Sequence, residues 1–347
     1  MTEKNKDILV SLMAQHNELG ISEQIDYEKF YLYSIITHST AIEGSTVTEV
    51  EAQLLFDEGI TSNKRSIIEQ NMNLDLKQAY DYGRTWIKRH EEITTDILIK
   101  LAGKVMARTG SEYNTLNGSF DASKGELRKL NVTAGAGGRS YMNYLKVPQK
   151  LEAFCRELND RRKSLDISDA VAIYELSFWA HFELVTIHPW ADGNGRTCRL
   201  LMNLLQMEFG VLPTKVLKED KAEYIQALID TREEDNIEVF HNCMIGLHCK
   251  HLKHDIEQFK KNVVLEMADK NDYKTEMVDK WSIKPSLADK LADILIFLAD
   301  KEEFTTETII KQFGLADTTA KRYLRQLTEF GYLEAKGGNR NRTYVKQ

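Results

Sequence analysis

The twelve residues His188-Pro-Trp-Ala-Asp-Gly-Asn-Gly-Arg-Thr-Cys-Arg199 constrain this chain more than any other stretch. They interrupt two apolar runs at helical spacing, one ending just before His188, the other carrying Leu200, Asn203, Leu204 and Met207. The chain must therefore pass here from helix to glycine turn to helix. Gly193 and Gly195 permit backbone conformations closed to most residues and put no Cβ between the amides and a ligand. The second helix directs its free N–H groups and positive dipole end at the same point, which favours an anion there. That helix should close at Gly210, with Pro213 just beyond.

The side chains of the turn fit one chemistry. Arg196 and Arg199, three apart, share a helix face, and guanidinium forks suit phosphate oxygens. Asp192 suits a hard divalent cation such as Mg²⁺, which binds through one or two carboxylates plus phosphates. His188, with an ordinary pKa near ~6.5, accepts a proton at neutral pH. A glycine turn before a helix is common by itself. Base, carboxylate, backbone cradle and two cations together describe a phosphorylated ligand beside a group to be deprotonated.

At these residues the chain resembles the Fic family, whose signature is His-x-Phe-x-(Asp/Glu)-Gly-Asn-Gly-Arg-x-x-Arg; only Trp190 departs, a large aromatic in place of Phe. The resemblance implies transfer of a nucleotide monophosphate, usually AMP from ATP, to a hydroxyl side chain of a protein target, the chain itself included, with release of pyrophosphate. It implies that His188 deprotonates the hydroxyl and that Asp192 holds Mg²⁺ on the α- and β-phosphates. By the same resemblance Gly193, Asn194 and Gly195 form the anion hole, Arg196 pairs with phosphate, and Arg199 holds the γ-phosphate. Doc-type relatives, which phosphorylate their target, carry Lys where Gly195 stands, so kinase chemistry is not expected. The base pocket lies outside the signature, which leaves UMP as an alternative to AMP.

Two further segments fit the same resemblance. Ser39-Thr-Ala-Ile-Glu43-Gly44 is similar to the inhibitory Ser/Thr-x-x-x-Glu-Gly/Asn motif of the N-terminally inhibited class. Ser39 and Glu43 share a helix face, and a carboxylate there can pair with Arg199 and misalign the triphosphate. Residues 130–141 read as two short strands about a glycine turn, following Gly125-Glu-Leu-Arg128. They lack the Gly-Lys-Ser/Thr ending of a phosphate loop and resemble the Fic flap, a hairpin that holds the target by strand addition.

Between only four prolines, helical patterns dominate. Tyr27 to Ile42 reads as a helix with Phe30, Tyr31, Tyr33, Ser34 and Ile35 on its inner side. Thr48 and Glu51 form a capping box for the next helix, closed by Gly59. Helices follow over Ile67 to Trp86 and Glu92 to Met106, and Ser168 is expected to cap an apolar helix running into His188. His241, Cys243, His248, Cys249, His251 and His254 lack the spacing of a zinc site and read as a helix whose histidines face water. Cys198, beside the site, reads as packing.

Past Pro285 a separate unit begins. Helices over Leu291–Leu298, Thr306–Phe313 and Thr318–Phe330, then two strands about Gly337-Gly338, resemble a winged helix-turn-helix. Lys321, Arg322, Arg325, Lys336, Arg340 and Arg342 suit phosphate contacts to DNA, diluted by Asp317, Glu329 and Glu334. Leu295, Phe297, Ile309, Leu324, Leu327 and Tyr332 give it an apolar set of its own, so a fragment from Pro285 should fold alone.

The expected fold is mainly α, a Fic-type helical core with a small β-hairpin flap plus a C-terminal winged helix-turn-helix. The expected division is 1–95, an N-terminal region with the inhibitory motif; 96–250, the catalytic core; 251–284, a helical connector with a loop near Asn271; and 285–347, the winged helix. At 347 residues, 42% hydrophobic and 29% charged, the composition is that of a globular chain. A net charge of −7 argues against the whole chain coating nucleic acid or membrane, and no uninterrupted apolar stretch of membrane-spanning length is expected. The four cysteines are too few and irregular for a disulfide scaffold, which points to a reducing cytoplasm. A homodimer stays open. The rival reading is a nucleotide-responsive, DNA-binding winged-helix regulator.

Overall fold

The computed structural model describes residues 2–24, 26–133, 140–299, 301, 303–338 and 342–347, without the side chains of 264–268. The glycine-rich tip at 134–139 and Arg340 lie outside the described residues. Two units divide the chain, 1–256 and 257–347, and each is taken by itself.

The first unit is helical because its local signals agree. Helix α1 spans Glu3–Glu18 and α2 spans Tyr27–Ile42. The inner side of α2 is Leu32, Tyr33, Ile35 and Ile36; Phe30, expected there, is exposed, with the Lys29 ammonium over its ring. Helix α3, Glu49–Asp57, starts on the Thr48–Glu51 capping box, and α4, Ile67–Ile87, on a second box formed by Ser66 and Glu69. Helix α5 spans Thr95–Val105. A hairpin follows that the sequence reading missed: β1, Glu112–Thr115, pairs antiparallel with β2, Gly118–Asp121. Its signal was the Asn117-Gly118 dipeptide, with Gly118 at φ 102°.

Helix α6, Val147–Lys163, leads to α7, Ala170–Ile187, and α8, Asn194–Glu208. The cap of α7 is Asp169, which accepts from the Val171 and Ala172 amides. Ser168, the expected cap, instead donates its hydroxyl to Asp166 at 2.7 Å. By mean hydropathy α7 is long and apolar enough to cross a membrane, though Glu175, His181 and Glu183 interrupt it, and it lies largely buried in this unit. Helix α8 packs against α7 and α4. A Cβ at Gly83 would collide with Leu204, so α4 approaches α8 closely there. Buried polar groups between them are paired: Tyr80 Oη donates to Asn203 Oδ1 at 2.8 Å, and Gln206 Nε2 to Ser177 Oγ at 2.9 Å.

Helix α9 spans Lys221–Glu234 and α10 spans Ile237–Trp281 without the loop expected near Asn271. Its histidines do not face water as a set. His241, His248 and His251 are buried, because α10 lays them on α7 and α9: His248 lies against the Tyr174 ring, and His251 Nε2 is 2.6 Å from Asp220 Oδ2.

In the second unit α11, Pro285–Phe297, precedes β3, Phe304–Thr305, then α12, Thr306–Phe313, and α13, Asp317–Glu329. Strands β4, Leu333–Lys336, and β5, Thr343–Lys346, complete an antiparallel sheet of order β3-β5-β4. The core joins Leu291, Leu295, Ile309, Leu324 and Leu327 with Met277, fully buried, and with Tyr273 packed against it. The unit thus draws apolar side chains from before Pro285. A fragment from residue 270 should therefore melt cooperatively, and one from Pro285 should be weaker by about 2–5 kcal/mol, the usual cost of deleting a buried Met side chain. Circular dichroism melts of the two fragments check this; equal stability would remove Met277 from the core.

Candidate active site

The site forms where α7 ends and α8 begins. His188 is the C-cap of α7, in the left-handed region at φ 51°, with its N–H on Leu184 O at 3.1 Å. That conformation is uncommon for a residue with a Cβ and must be held by its surroundings. The holder is Arg128, a residue whose role the sequence reading missed. Only 1% exposed, its guanidinium donates Nε to His188 O at 2.8 Å, Nη1 to Leu130 O at 2.8 Å, and Nη2 to Met142 O. Its own amide donates to Pro189 O at 3.0 Å. One buried cation therefore ties the His188 turn to both arms of the glycine-rich segment. In those arms Thr133 bridges Ser140, and the Tyr141 amide donates to Val132 O at 3.0 Å; regular strands are not formed among the described residues.

The turn is braced from within. Asn194 accepts from the Trp190 amide at 3.1 Å and donates to Trp190 O at 2.8 Å. Its side chain is thereby occupied, leaving its backbone N–H for an anion. Trp190 is tolerated where the signature has Phe because its indole N–H donates to Gly125 O at 2.9 Å. Gly193, at φ 79°, has no room for a side chain: a Cβ would stand 2.7 Å from the Met106 sulfur. At Gly195 a Cβ would stand 2.7 Å from Glu43 Oε1.

The charged residues are sharply divided in exposure. Asp192 is 58% exposed and accepts from the Gly193 amide through Oδ1 at 2.6 Å. Arg196 is buried, 3.8 Å from Asp192; its Nη1 is 3.5 Å from Val105 O, its Nη2 is 3.0 Å from the Met106 sulfur, and its Nε has no partner among the described residues. Arg199 is 3% exposed and fully engaged: Nε donates to Ser39 Oγ at 2.9 Å, Nη2 to Ser39 O at 3.0 Å and to Glu43 Oε1 at 2.6 Å. The pairing expected of Ser39 and Glu43 is present. Burial alone would raise the Glu43 carboxyl, but Arg199 beside it holds it below the ordinary carboxylate range. Burial likewise works against the Arg199 charge, and Glu43 more than restores it. Behind Arg199, the Tyr224 hydroxyl and His181 Nε2 are 2.8 Å apart, both buried; neither was read from the sequence.

The Tyr141 ring stacks on the His188 imidazole at 3.8 Å between centroids, and Arg232 lies over Tyr141 at 5.6 Å. Burial pushes His188 down to about 4, against the pull of the Val185 carbonyl, and the Arg128 and Arg232 cations push the same way. A pKa lowered from near ~6.5 means a neutral ring, able to accept a proton, from above pH 4 through neutrality.

Residues 92–206 match the Fic/DOC family, and residues 287–337 match the IclR helix-turn-helix domain. That Fic/DOC-type segment contains the whole turn from His188 to Arg199. The chain's relatives include protein adenylyltransferase fic-1 of Caenorhabditis elegans, 29% identical over 58% of this chain and 36% of that protein. Protein adenylyltransferase Fic of Nematostella vectensis is 30% identical over 58% of this chain and 43% of that protein. The chain thus spans well under half the length of either. Its fold is that of a Fic-domain-containing signaling protein from Bacteroides thetaiotaomicron, with a TM-score of 0.60 at 20% identity over 73% of this chain and 97% of that one. A Fic family protein from Desulfovibrio desulfuricans G20 matches over 100% of this chain and 97% of its own, with a TM-score of 0.59 at 16% identity. The His188 ring should titrate near pH 4 by NMR, and Arg232→Gln, which removes one neighbouring cation, should raise that midpoint. A midpoint between 6 and 7 (about the unperturbed value) would contradict the enclosure described.

Proposed function

We propose that this chain transfers AMP from ATP to a hydroxyl side chain of a protein target, itself included, in a reducing cytoplasm, and that Glu43 restrains it. One observation carries the reading: a single helix entrance gathers a neutral base, an exposed carboxylate, glycine-backed amides and two buried guanidinium groups. On this reading His188 takes the hydroxyl proton while the oxygen attacks the α-phosphorus. The bond to the bridging oxygen breaks, and pyrophosphate leaves with the electron pair. Phosphoryl chemistry of this kind depends mainly on positioning and charge stabilisation. The amides of Gly193 to Gly195 and Arg196, whose Nε lacks a partner among the described residues, are suited to the phosphate oxygens.

The donor set fits Mg²⁺. Asp192 is an exposed carboxylate at the turn, and no cluster of three His, Cys, Asp or Glu side chains exists among the described residues, as suits an ion that keeps phosphate and water ligands. When bound, the ion neutralises phosphate charge. The names of the Caenorhabditis and Nematostella relatives support adenylyl transfer, and ATP follows from it. The restraint rests on Arg199, whose donors toward Ser39 and Glu43 are those a γ-phosphate would need.

Labelled-nucleotide transfer in extract, comparing ATP, GTP, CTP and UTP, tests the reading. Glu43→Gly should label itself and targets from ATP well above wild type, and adding His188→Ala should lower that by ~10²–10⁴-fold, the worth of a positioned base. Unchanged labelling in the double variant would sink the assignment of His188; preference for UTP would redirect the substrate.

A second reading concerns the winged helix. Lys321, Arg322, Arg325 and Arg342 line one groove between α13 and the sheet, and the helix-turn-helix match supports a DNA face there. Asp317 and Glu329 pair with Lys321 and Arg325, so contacts should be mainly to phosphate. Binding to random duplex should weaken with salt at a log–log slope of about −0.9 per phosphate neutralised. In a gel-shift titration, no complex at low salt would turn this unit to protein docking.

A further inference from the structure

A general base works only when its ring is aimed, and a held backbone does not aim a ring. The left-handed turn fixes where His188 leaves the chain, but χ2 of a histidine is a broad torsion. The usual restraint is a hydrogen bond at the second ring nitrogen, which sets both tautomer and plane. Here Nδ1 of His188 is buried and has no partner among the described residues. Something else must set the plane of the imidazole.

The flat contact on that ring is Tyr141, at 3.8 Å between centroids and 17° between planes. Tyr141 is itself pinned. Its amide donates to Val132 O at 3.0 Å, and the next carbonyl, that of Met142, receives Nη2 of Arg128. Over its ring lies Arg232 at 5.6 Å, a cation on an aromatic face. Arg232 in turn donates Nε to Thr186 Oγ1 at 3.2 Å, on α7 two residues before His188. The circuit thus starts and ends on the helix that carries the base. Arg128 and Arg232 are also the charged groups acting on the imidazole, one from the segment before the glycine-rich arms and one from α9. Both disfavour a second cation there, and the Tyr141 face shuts water from the side of the ring that it covers.

We infer that Tyr141 is a positioning residue for the base: its ring face, pinned by Arg232, sets the plane of the His188 imidazole in place of a hydrogen bond to Nδ1. The inference deepens the adenylyl-transfer reading above and rests on it. The full chain carrying Glu43→Gly tests it, alone, with Tyr141→Ala and with Tyr141→Phe. Labelling from ATP is measured at about pH 8, where the ring is neutral with or without its cover, so a fall in rate reads orientation and not protonation. Tyr141→Ala should lower kcat by ~10²-fold, the cost of a misplaced group. It should leave KM for ATP unchanged, because the stack lies on the base and not on the phosphate cradle. Tyr141→Phe, which keeps the face, should restore the rate. In the same proteins without nucleotide, the His188 ring is titrated by NMR, its signals assigned against His188→Ala. The midpoint near 4 should rise toward about 6.5 in Tyr141→Ala and return in Tyr141→Phe. An unmoved midpoint in Tyr141→Ala, a Tyr141→Phe rate as poor as that of Tyr141→Ala, or a KM that rises as kcat falls overturns the inference. No transfer by any of these proteins would fault the adenylyl-transfer reading instead, and the ring titration would still decide the stack.

Discussion

Arg199 is a cation with almost no access to water, and a buried charge must be compensated where it stands. Its compensation comes from elsewhere in the chain: Ser39 and Glu43 from the end of α2, with Tyr224 of α9 behind. Three helices distant in sequence thus converge on one guanidinium. Lys221 adds a further tie, donating to Ile42 O at 2.7 Å at the end of the same α2 helix. The anion meeting Arg199 need not be Glu43, since a phosphate meets the same demand. The unequal exposure of the pair matters here. Glu43 keeps 36% of its side chain accessible while Arg199 keeps 3%, so solvent can replace the carboxylate far more cheaply than anything can replace the arginine. A removable anion on a fixed buried cation is the arrangement that an inhibitory contact requires.

Arg128 does for geometry what Arg199 does for charge. Among the described residues it has no carboxylate partner; three carbonyl oxygens receive its donors, one from the His188 turn and two from the glycine-rich arms. Burial lowers its pKa, but a guanidinium remains charged. The left-handed backbone at His188 is an uncommon state whose cost, on the order of 1–3 kcal/mol, persists only where the surroundings over-determine it. Here they do, through Arg128, the Leu184 carbonyl and the Asn194 bridge to Trp190. The His188 turn is held by the fold itself, and both arms of the glycine-rich segment are held by the same side chain.

What was legible in the sequence was local. The Thr48–Glu51 box, the bounds of α2 and α12, the glycine close of α8 and the Ser39/Glu43 helix face all depend on residues a few positions apart, and the structure has them. What was not legible depends on distant neighbours. Arg128 meets His188 across sixty residues, and Tyr224 meets His181 across forty-three. The histidines of α10 were judged by their offsets on one helix, whereas their burial is decided by the Tyr174 and Asp220 they meet on other elements. Ser168 and Asp169 are both competent caps, and what decided between them was the Asp166 carboxylate that takes the serine hydroxyl.

The composition of α7 shows how far such neighbours change a reading. By length and apolarity it passes for a membrane span, but its polar side chains are answered inside the unit. Ser177 meets Gln206 of α8, and His181 meets Tyr224 of α9, each partner itself buried. Hydrocarbon would leave those groups without partners. Packed on one side by α8, and by α6 and α10 elsewhere, the helix has little freedom to shift, and its C-cap is His188. His188 therefore inherits its position from a helix that lies largely buried in the unit. The same helix lines a groove with Trp179, Phe182 and Thr186, so the element that fixes His188 also bounds an open face of the unit.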